Sequence, residues 1–162
     1  MTKAAVVTIS DSVAHGKRVD RSGPATVEVL RQHGFDVTQQ RAVVDDQSEI
    51  EQTLIQLSQQ VQLIVTTGGT GISERDVTPE ATRAVCTKLI DGIPQKMRAD
   101  GLESTEFAIL SRGVCGVRGR ALILNLPGNP GGAVDSLQSV VEILPHALEI
   151  LAGHTAHDNG EQ

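Results

Sequence analysis

The chain contains 162 residues, of which 20 are acidic and 14 basic, giving a net charge of −6. This length predicts one domain with one hydrophobic core. An acidic chain with only two aromatic residues offers neither the basic surface nor the stacking rings that nucleic-acid binding requires. No apolar run approaches the ~20 residues that cross a bilayer, and the first residues lack a signal-peptide pattern. We therefore expect a cytoplasmic protein without membrane or nucleic-acid partners.

Short apolar runs rich in β-branched residues recur along the chain and predict strands. Five such runs lie at residues 4–9, 35–44, 63–67, 114–117 and 121–126. The last two are joined only by Arg118, Gly119 and Arg120, which favours a hairpin. The earlier ones are separated by segments long enough for a helical crossover, which favours parallel pairing. The sequence therefore predicts an α/β fold with a mostly parallel sheet.

Helices are predicted between these strands by capping residues and by apolar stripes. Ser22 as a cap with Pro24 near the first turn indicates the start of one helix, and Ser48 fits a capping box for the next. Thr78 as a cap with Pro79 at the first helical position begins a third at about residue 79. The second helix carries an apolar stripe at Ile50, Leu54, Leu57 and Val61.

Two further helices are predicted toward the end of the chain. One covers residues 94–102, and the other carries an apolar face that Pro145 should kink or restart. We expect residues 1–153 to form a single domain and residues 154–162 to form a flexible tail.

The loops that follow the predicted strands contain most of the polar residues of interest. Because ligands of open parallel sheets bind at the carboxyl ends of the strands, we expect these loops to converge on one rim. They contain Ser10 and Asp11, Asp45 and Asp46, residues 67–76, and residues 125–130.

Gly68, Gly69, Thr70 and Gly71 form the most distinctive of these loops. Glycines can adopt positive φ, so successive backbone N–H groups can surround an anion, and a phosphate is the obvious ligand. The spacing is neither a Walker motif nor a dinucleotide fingerprint. A tight turn that merely joins a strand to a helix is the alternative.

Asp45 and Asp76 would lie beside the proposed phosphate site, where bare carboxylates repel the ligand unless a cation intervenes. Mg²⁺ is the natural cation, because it binds one or two carboxylates together with substrate phosphates. Alternatively, both residues are ordinary turn residues. Arg75 could bind a phosphate or pair with Glu74.

Other chemistries find little support. His154 and His157 lack a third metal ligand, Cys86 and Cys115 fit small buried hydrophobic residues, and no histidine completes a nucleophilic triad.

Several segments together resemble the molybdopterin adenylyltransferase family, which includes the Mog-like proteins of molybdenum cofactor biosynthesis and is similar to the gephyrin G domain. The resemblance covers residues 6–153 and rests on four ordered motifs: Thr66 to Gly71, Arg75 to Ala81, Leu110 to Arg112, and Asn125 to Pro130. Val44 and Gly101 depart from residues that are frequent in the family.

This resemblance implies a three-layer α/β fold with helices on both faces of the sheet, a homotrimer, and transfer of AMP from Mg-ATP to the terminal phosphate of molybdopterin. It implies that Asp45 and Asp76 are catalytic and hold Mg²⁺. It implies substrate contacts by Ser10, Asp11, Thr67, Gly68, Gly69, Thr70, Gly71, Arg75, Ser111, Asn125, Pro127, Gly128 and Asn129.

Two other functions stay open at this point. The first is a carrier or scaffold that binds molybdopterin without turnover, and the second is a flavodoxin-like binder, which the scarcity of aromatic residues makes weak. The metal of the final cofactor, molybdenum or tungsten, and the downstream insertase are not determined by the sequence.

Overall fold

A computed structural model describes residues 1–154 of the chain. Its sheet contains six strands: β1 (Lys3–Ile9), β2 (Asp36–Val43), β3 (Leu63–Thr67), β4 (Lys88–Leu89), β5 (Cys115–Arg118) and β6 (Ala121–Leu126). The spatial order is β2-β1-β3-β6-β5-β4. Pairs β1–β2, β1–β3 and β3–β6 are parallel, whereas β5 pairs antiparallel with both β6 and β4. The mostly parallel sheet and the hairpin are confirmed.

Seven α-helices and one 3-10 helix occupy the described part of the chain. They are α1 (Asp11–Ala14), α2 (Ser22–Gln32), α3 (Gln47–Ser58), α4 (Thr78–Val85), α5 (Gly92–Gly101), a 3-10 helix (Glu106–Leu110), α6 (Pro130–Val140) and α7 (Leu144–Leu151). The predicted helices are all present. Helix α1, strand β4 and the 3-10 helix were not expected from the sequence, because such short elements carry little periodic signal.

Alternation along the central strands sorts their side chains onto two faces of the sheet. On β1, Val6 belongs to the core beneath α2, α6 and α7, whereas Val7 belongs to the core beneath α3 and α4. The stripe predicted for α3 is buried in the second of these cores. Helices therefore cover both faces, and the three-layer α/β architecture is confirmed.

Three predicted caps are wrong in detail. Helix α2 follows Arg21, and its amide at Gly23 donates to Asp20 Oδ1, whereas Ser22 Oγ bonds Thr67. Asp46, not Ser48, caps α3 by accepting from Glu49 N. Val77 precedes α4, and Thr78 Oγ1 donates to the carbonyl of Gly68. The hydroxyls of Ser22 and Thr78 bond to other partners, and Asp20 and Asp46 accept from amides in the first turns of α2 and α3 instead.

The C-terminal helical segment is interrupted as predicted. Helix α6 ends at Val140 and α7 begins at Leu144, with Pro145 in its first turn, where a missing N–H costs nothing. Most of the proposed tail, including His157, lies outside the described residues, and the single-domain prediction for residues 1–153 stays a prediction. Within residues 1–154, no helix has the length and apolarity needed to cross a membrane.

Candidate functional site

Two clefts open at the carboxyl ends of the parallel strands. The polar cleft, about 810 Å³, lies over β1 and β3 and is lined by Ser10, Arg18, Asp45, Thr67 and Gly68 among others. The apolar cleft, about 860 Å³, lies between α5, the 3-10 helix and α6, and includes Met97, Phe107 and Leu110. Gly69, Asp76, Gly128 and Asn129 line both clefts, so the clefts meet at the glycine loop.

The glycine loop turns its carbonyl groups toward the protein. The carbonyls of Gly68 and Gly69 accept from Thr78 Oγ1 and Thr78 N, at 3.0 and 3.1 Å. The carbonyls of Thr70 and Gly71 accept from Arg112 N and Arg112 Nε, at 2.9 and 2.8 Å. Four successive carbonyls are thus satisfied by two residues.

This arrangement leaves four successive amides available. In a trans peptide the N–H points opposite to the preceding carbonyl, so the N–H groups of residues 69–72 point away from Thr78 and Arg112. None of them donates to an acceptor within residues 1–154. A run of unpaired amides is the arrangement that binds phosphate oxygens, which favours the anion site over a simple connecting turn.

Asp11 and Asp45 lock the loops after β1 and β2 together. Asp11 N donates to Asp45 Oδ2 at 3.0 Å, and Asp45 N donates to Asp11 Oδ1 at 2.9 Å. Arg75 bridges from the third loop to Asp11 Oδ2, and this hydrogen bond holds the pKa of Asp11 below its usual value. The partner of Arg75 is therefore Asp11, whereas the sequence suggested Glu74 or a phosphate.

Asp45 and Asp76 flank the glycine loop from two sides. A Cβ added at Gly69 would lie 3.3 Å from Asp45 Oδ1, and one at Gly71 would lie 2.8 Å from Asp76 Oδ2. Burial, with the charges of Asp11 and Asp76, raises the pKa of Asp45. Oδ1 of Asp45 and Oδ1 of Asp76 accept no hydrogen bond from the described residues.

These carboxylates fit a magnesium ion that shares its coordination with a substrate. Each has one oxygen without a protein donor, and hard oxygen ligands suit Mg²⁺. No cluster of three or more histidine, cysteine, aspartate or glutamate ligands occurs in residues 1–154. The arrangement therefore lacks a complete protein cage and fits a cation held by two carboxylates plus phosphate oxygens.

Removing the charge of Asp45 should stabilise the metal-free protein. Because the pKa of Asp45 is higher in the folded than in the unfolded state, the ionised carboxylate opposes folding above its ordinary pKa, and stability recovers as the pH falls through the folded-state value. We expect D45N to raise the free energy of unfolding at pH 7 by about 0.5 kcal/mol, a figure reduced for solvent screening. Urea titrations without divalent metal test this prediction.

The pH series supplies the control. The difference between D45N and the wild type should vanish below the ordinary pKa range of aspartate, where Asp45 is protonated in both states. A difference that persists in acid would show that the charge is not its cause.

Most of the predicted site residues line the two clefts, and three do not. Asp11 and Arg75 are paired with each other at the margin. Asn125 is 1% exposed, and its amide donates to Thr66 and Thr82 while its oxygen accepts from Val114 N. In this structure Asn125 ties the sheet to α4 rather than facing the rim, so its predicted substrate contact lacks support.

Two features of the clefts were not predicted from the sequence: the basic side chains of the polar cleft, and the apolar side chains that α5 and the 3-10 helix contribute to the other cleft. Lys17, Arg18 and Arg21 line the polar cleft. Their only signal in the sequence is a cluster of positive charges shortly after β1. The wall of the apolar cleft gives no local signal, because it is assembled from α5, the 3-10 helix and α6.

The cysteines match their expected structural role. Burial raises the pKa of Cys115 to about 12 and that of the half-buried Cys86 to about 11, so neither is an activated thiolate.

The fold and the rim together define an α/β protein with two clefts and a loop of available backbone amides at the carboxyl ends of its parallel strands. Residues 5–146 match the family described as a probable molybdopterin binding domain. The chain belongs to this family.

Curated relatives extend the match to nearly the whole chain. The molybdopterin adenylyltransferase of Helicobacter pylori (strain J99 / ATCC 700824) is 38% identical over 153 residues, covering 92% of this chain and 87% of the relative. The molybdopterin adenylyltransferase of Escherichia coli (strain K12) is 37% identical over 165 residues, covering 91% and 84%.

Solved structures agree with this placement. The molybdopterin biosynthesis enzyme MoaB of Thermus thermophilus superposes with a TM-score of 0.89 at 44% identity, covering 94% of this chain and 98% of that one. The molybdopterin biosynthesis Mog protein of Mycobacterium ulcerans gives 0.87 at 40% identity, covering 93% and 99%.

Proposed function

We propose that this protein is a molybdopterin adenylyltransferase, a nucleotidyltransferase that moves AMP from ATP to the terminal phosphate of molybdopterin. The observation that carries the proposal is the meeting of two clefts at a loop flanked by Asp45 and Asp76, in which four amides donate to no acceptor in the described part of the chain. Two clefts suit two substrates whose phosphates must approach each other. Relatives named for this activity, at 37–38% identity over most of the chain, support the same conclusion.

The reaction requires no histidine, and neither cleft is lined by one among the residues described. A phosphate monoester has its second pKa near 6, so the attacking oxygen is already largely ionised at neutral pH. That oxygen bonds to the α-phosphorus of ATP, the bond to the bridging oxygen breaks, and pyrophosphate leaves with its electron pair.

The residues of the rim serve this transfer by holding two polyanions together. The amides of residues 69–72 donate to phosphate oxygens and neutralise charge without reorganising. Asp45 and Asp76 would hold Mg²⁺, which when bound neutralises phosphate charge and favours departure of pyrophosphate. Lys17, Arg18 and Arg21 balance the three aspartates that line the same cleft and can pair with the polyphosphate.

A non-catalytic molybdopterin carrier is the alternative, and one assay separates the two functions. Purified protein is incubated with molybdopterin, α-labelled ATP and Mg²⁺, and label in the pterin product is measured together with pyrophosphate. An adenylyltransferase transfers label and releases pyrophosphate in equal amounts, and EDTA stops both. Tight molybdopterin binding with no transfer of label would identify a carrier instead.

We also propose that the protein is a homotrimer that works in the cytoplasm and passes its product to a molybdenum insertase. Leu102, Phe107, Ile109 and Leu110 are large apolar side chains between 48% and 68% exposed on neighbouring turns. Apolar surface of this kind is typical of protein interfaces.

The mass in solution tests the trimer. Light scattering should report about 52 kDa, three times the 17.2 kDa of one chain. Concentration has to come from refractive index, because the chain has no Trp or Tyr. A mass equal to that of a single chain would contradict the proposal.

A further inference from the structure

Arg112 lies outside both clefts but contacts the residues that form their junction. Its Nε donates to the carbonyl of Gly71 at 2.8 Å, and its Nη2 donates to the carbonyl of Asp76 at 2.9 Å. The same guanidinium forms a two-pronged ion pair with Glu80 in the first turn of α4, at 2.7 and 3.1 Å.

These contacts enclose the most exposed part of the third loop. Residues 72–75 are exposed, and Gly71 and Asp76 are the residues on either side of them. Holding the Gly71 carbonyl fixes the peptide plane whose N–H belongs to Ile72, and holding the Asp76 carbonyl fixes the backbone that carries the Asp76 carboxylate. One side chain thus contacts both the peptide at the end of the amide run and the backbone of the residue that carries the acid.

We infer that Arg112 is a positioning residue for the reaction, which orients the last amide of the anion-binding run and the carboxylate of Asp76 by clamping the carbonyls of Gly71 and Asp76 to α4. The inference rests on the proposed function for the role of Asp76, whereas the clamp itself is a feature of the structure.

The contacts of Arg112 go beyond those of a surface ion pair. The side chains of Arg112 and Glu80 are 34% and 37% exposed, so solvent screens their charges, and a contribution to folding comes from the two-pronged geometry rather than from charge alone. Glu80 also neutralises the guanidinium, so Arg112 adds no net charge toward a polyanionic substrate. What the pair supplies is geometry, because a planar fork can reach two carbonyls and a carboxylate at once.

Replacement of Arg112 by lysine separates geometry from charge. Lysine keeps the positive charge but has one flexible ammonium, which cannot span the three partners. Arg118 supplies the matched control, because it is also partly buried and its Nη1 donates to the carbonyl of Val85 at the other end of α4. E80Q provides a milder variant that weakens the clamp and leaves the guanidinium in place.

Three measurements on R112K, E80Q and R118K test the inference. Mn²⁺ binding in the presence of ATP is followed by electron paramagnetic resonance, hydrogen exchange is measured for the peptide covering residues 70–77, and AMP transfer is titrated with Mg²⁺. For R112K we expect Mn²⁺ affinity to fall roughly 10- to 100-fold, the size typical of losing a partner behind a metal ligand. Exchange in residues 70–77 should accelerate, and excess Mg²⁺ should restore part of the rate.

E80Q should change all three properties in the same direction by a smaller factor, and R118K should change none of them. If circular dichroism shows that R112K does not fold, the same three measurements on E80Q test the inference instead. Wild-type Mn²⁺ affinity and wild-type exchange in the folded variants would overturn the inference. A lower melting temperature with an unchanged metal dependence would also overturn it, because that result describes a merely structural residue.

The outcomes remain separable from those of the proposed function. If the wild type transfers no AMP, the proposed activity fails, but Mn²⁺ binding and hydrogen exchange still report whether Arg112 orders this loop. If the wild type is active and R112K matches it in every measurement, only the positioning role fails.

Discussion

Replacing Asp76 with asparagine is expected to reduce AMP transfer by at least about 100-fold, the loss that follows removal of one electrostatic element from a preorganised site. The change is small in shape, because Asp76 Oδ2 accepts from Ser73 N at 3.1 Å and an amide oxygen can do the same. What disappears is one negative charge and one cation ligand. The binding of molybdopterin, followed separately, should stay close to the wild-type value.

The measurement is the labelled-ATP assay over a range of Mg²⁺ concentrations, with D46N as the control. Asp46 neighbours Asp45 in the chain but lines neither cleft, and it caps α3 through Glu49 N. Asparagine caps helices as well as aspartate does, so D46N should keep full activity. Unchanged turnover in D76N would remove Asp76 from the proposed mechanism.

Replacing Gly68 with alanine is expected to lower the free energy of unfolding by about 4 kcal/mol, the sum of a backbone strain and an overpacking cost. Gly68 has a φ of +93°, and an added Cβ would lie 2.3 Å from the carbonyl oxygen of Ile9. That oxygen belongs to the backbone of β1, which cannot yield without disturbing the sheet. Activity should fall as well, because the loop carries the anion-binding amides.

Replacing Gly34 with alanine separates the cost of backbone strain from the cost of overpacking. Its φ is +85°, but an added Cβ meets nothing within 4 Å, so G34A should lose only the strain component of about 1 kcal/mol. Urea unfolding followed by circular dichroism measures both variants, since the chain has no Trp or Tyr. An equal decrease in the free energy of unfolding for G68A and G34A would show that the contact with Ile9 is unimportant.

The central part of the fold was predictable because its signals are local and repeated. The apolar runs of β1, β3 and β6, the stripe on α3 and the break at Pro145 all appear in the structure. The convergence of the loops also followed from the sequence, because parallel strands present their carboxyl ends on the same edge.

The specific partners within the site were not predictable. Arg112 and Glu80 are 32 residues apart, and Arg75 and Asp11 are 64 apart. Such pairs depend on the final register of the strands, which no local pattern encodes. Asn125 illustrates the same point. An asparagine near the end of an apolar strand is expected to face the ligand-binding rim, but packing of α4 against the sheet places Thr82 within hydrogen-bond distance of its amide.

The strand order has a consequence for the growing chain during synthesis. Strands β1, β2 and β3 are complete by residue 67, but β3 pairs on its other side with β6, which is complete only at residue 126. Every residue of β3 is buried in the finished protein. Until β6 emerges from the ribosome, β3 is an apolar strand edge without its neighbour, the kind of surface that chaperones cover and that aggregates if left exposed.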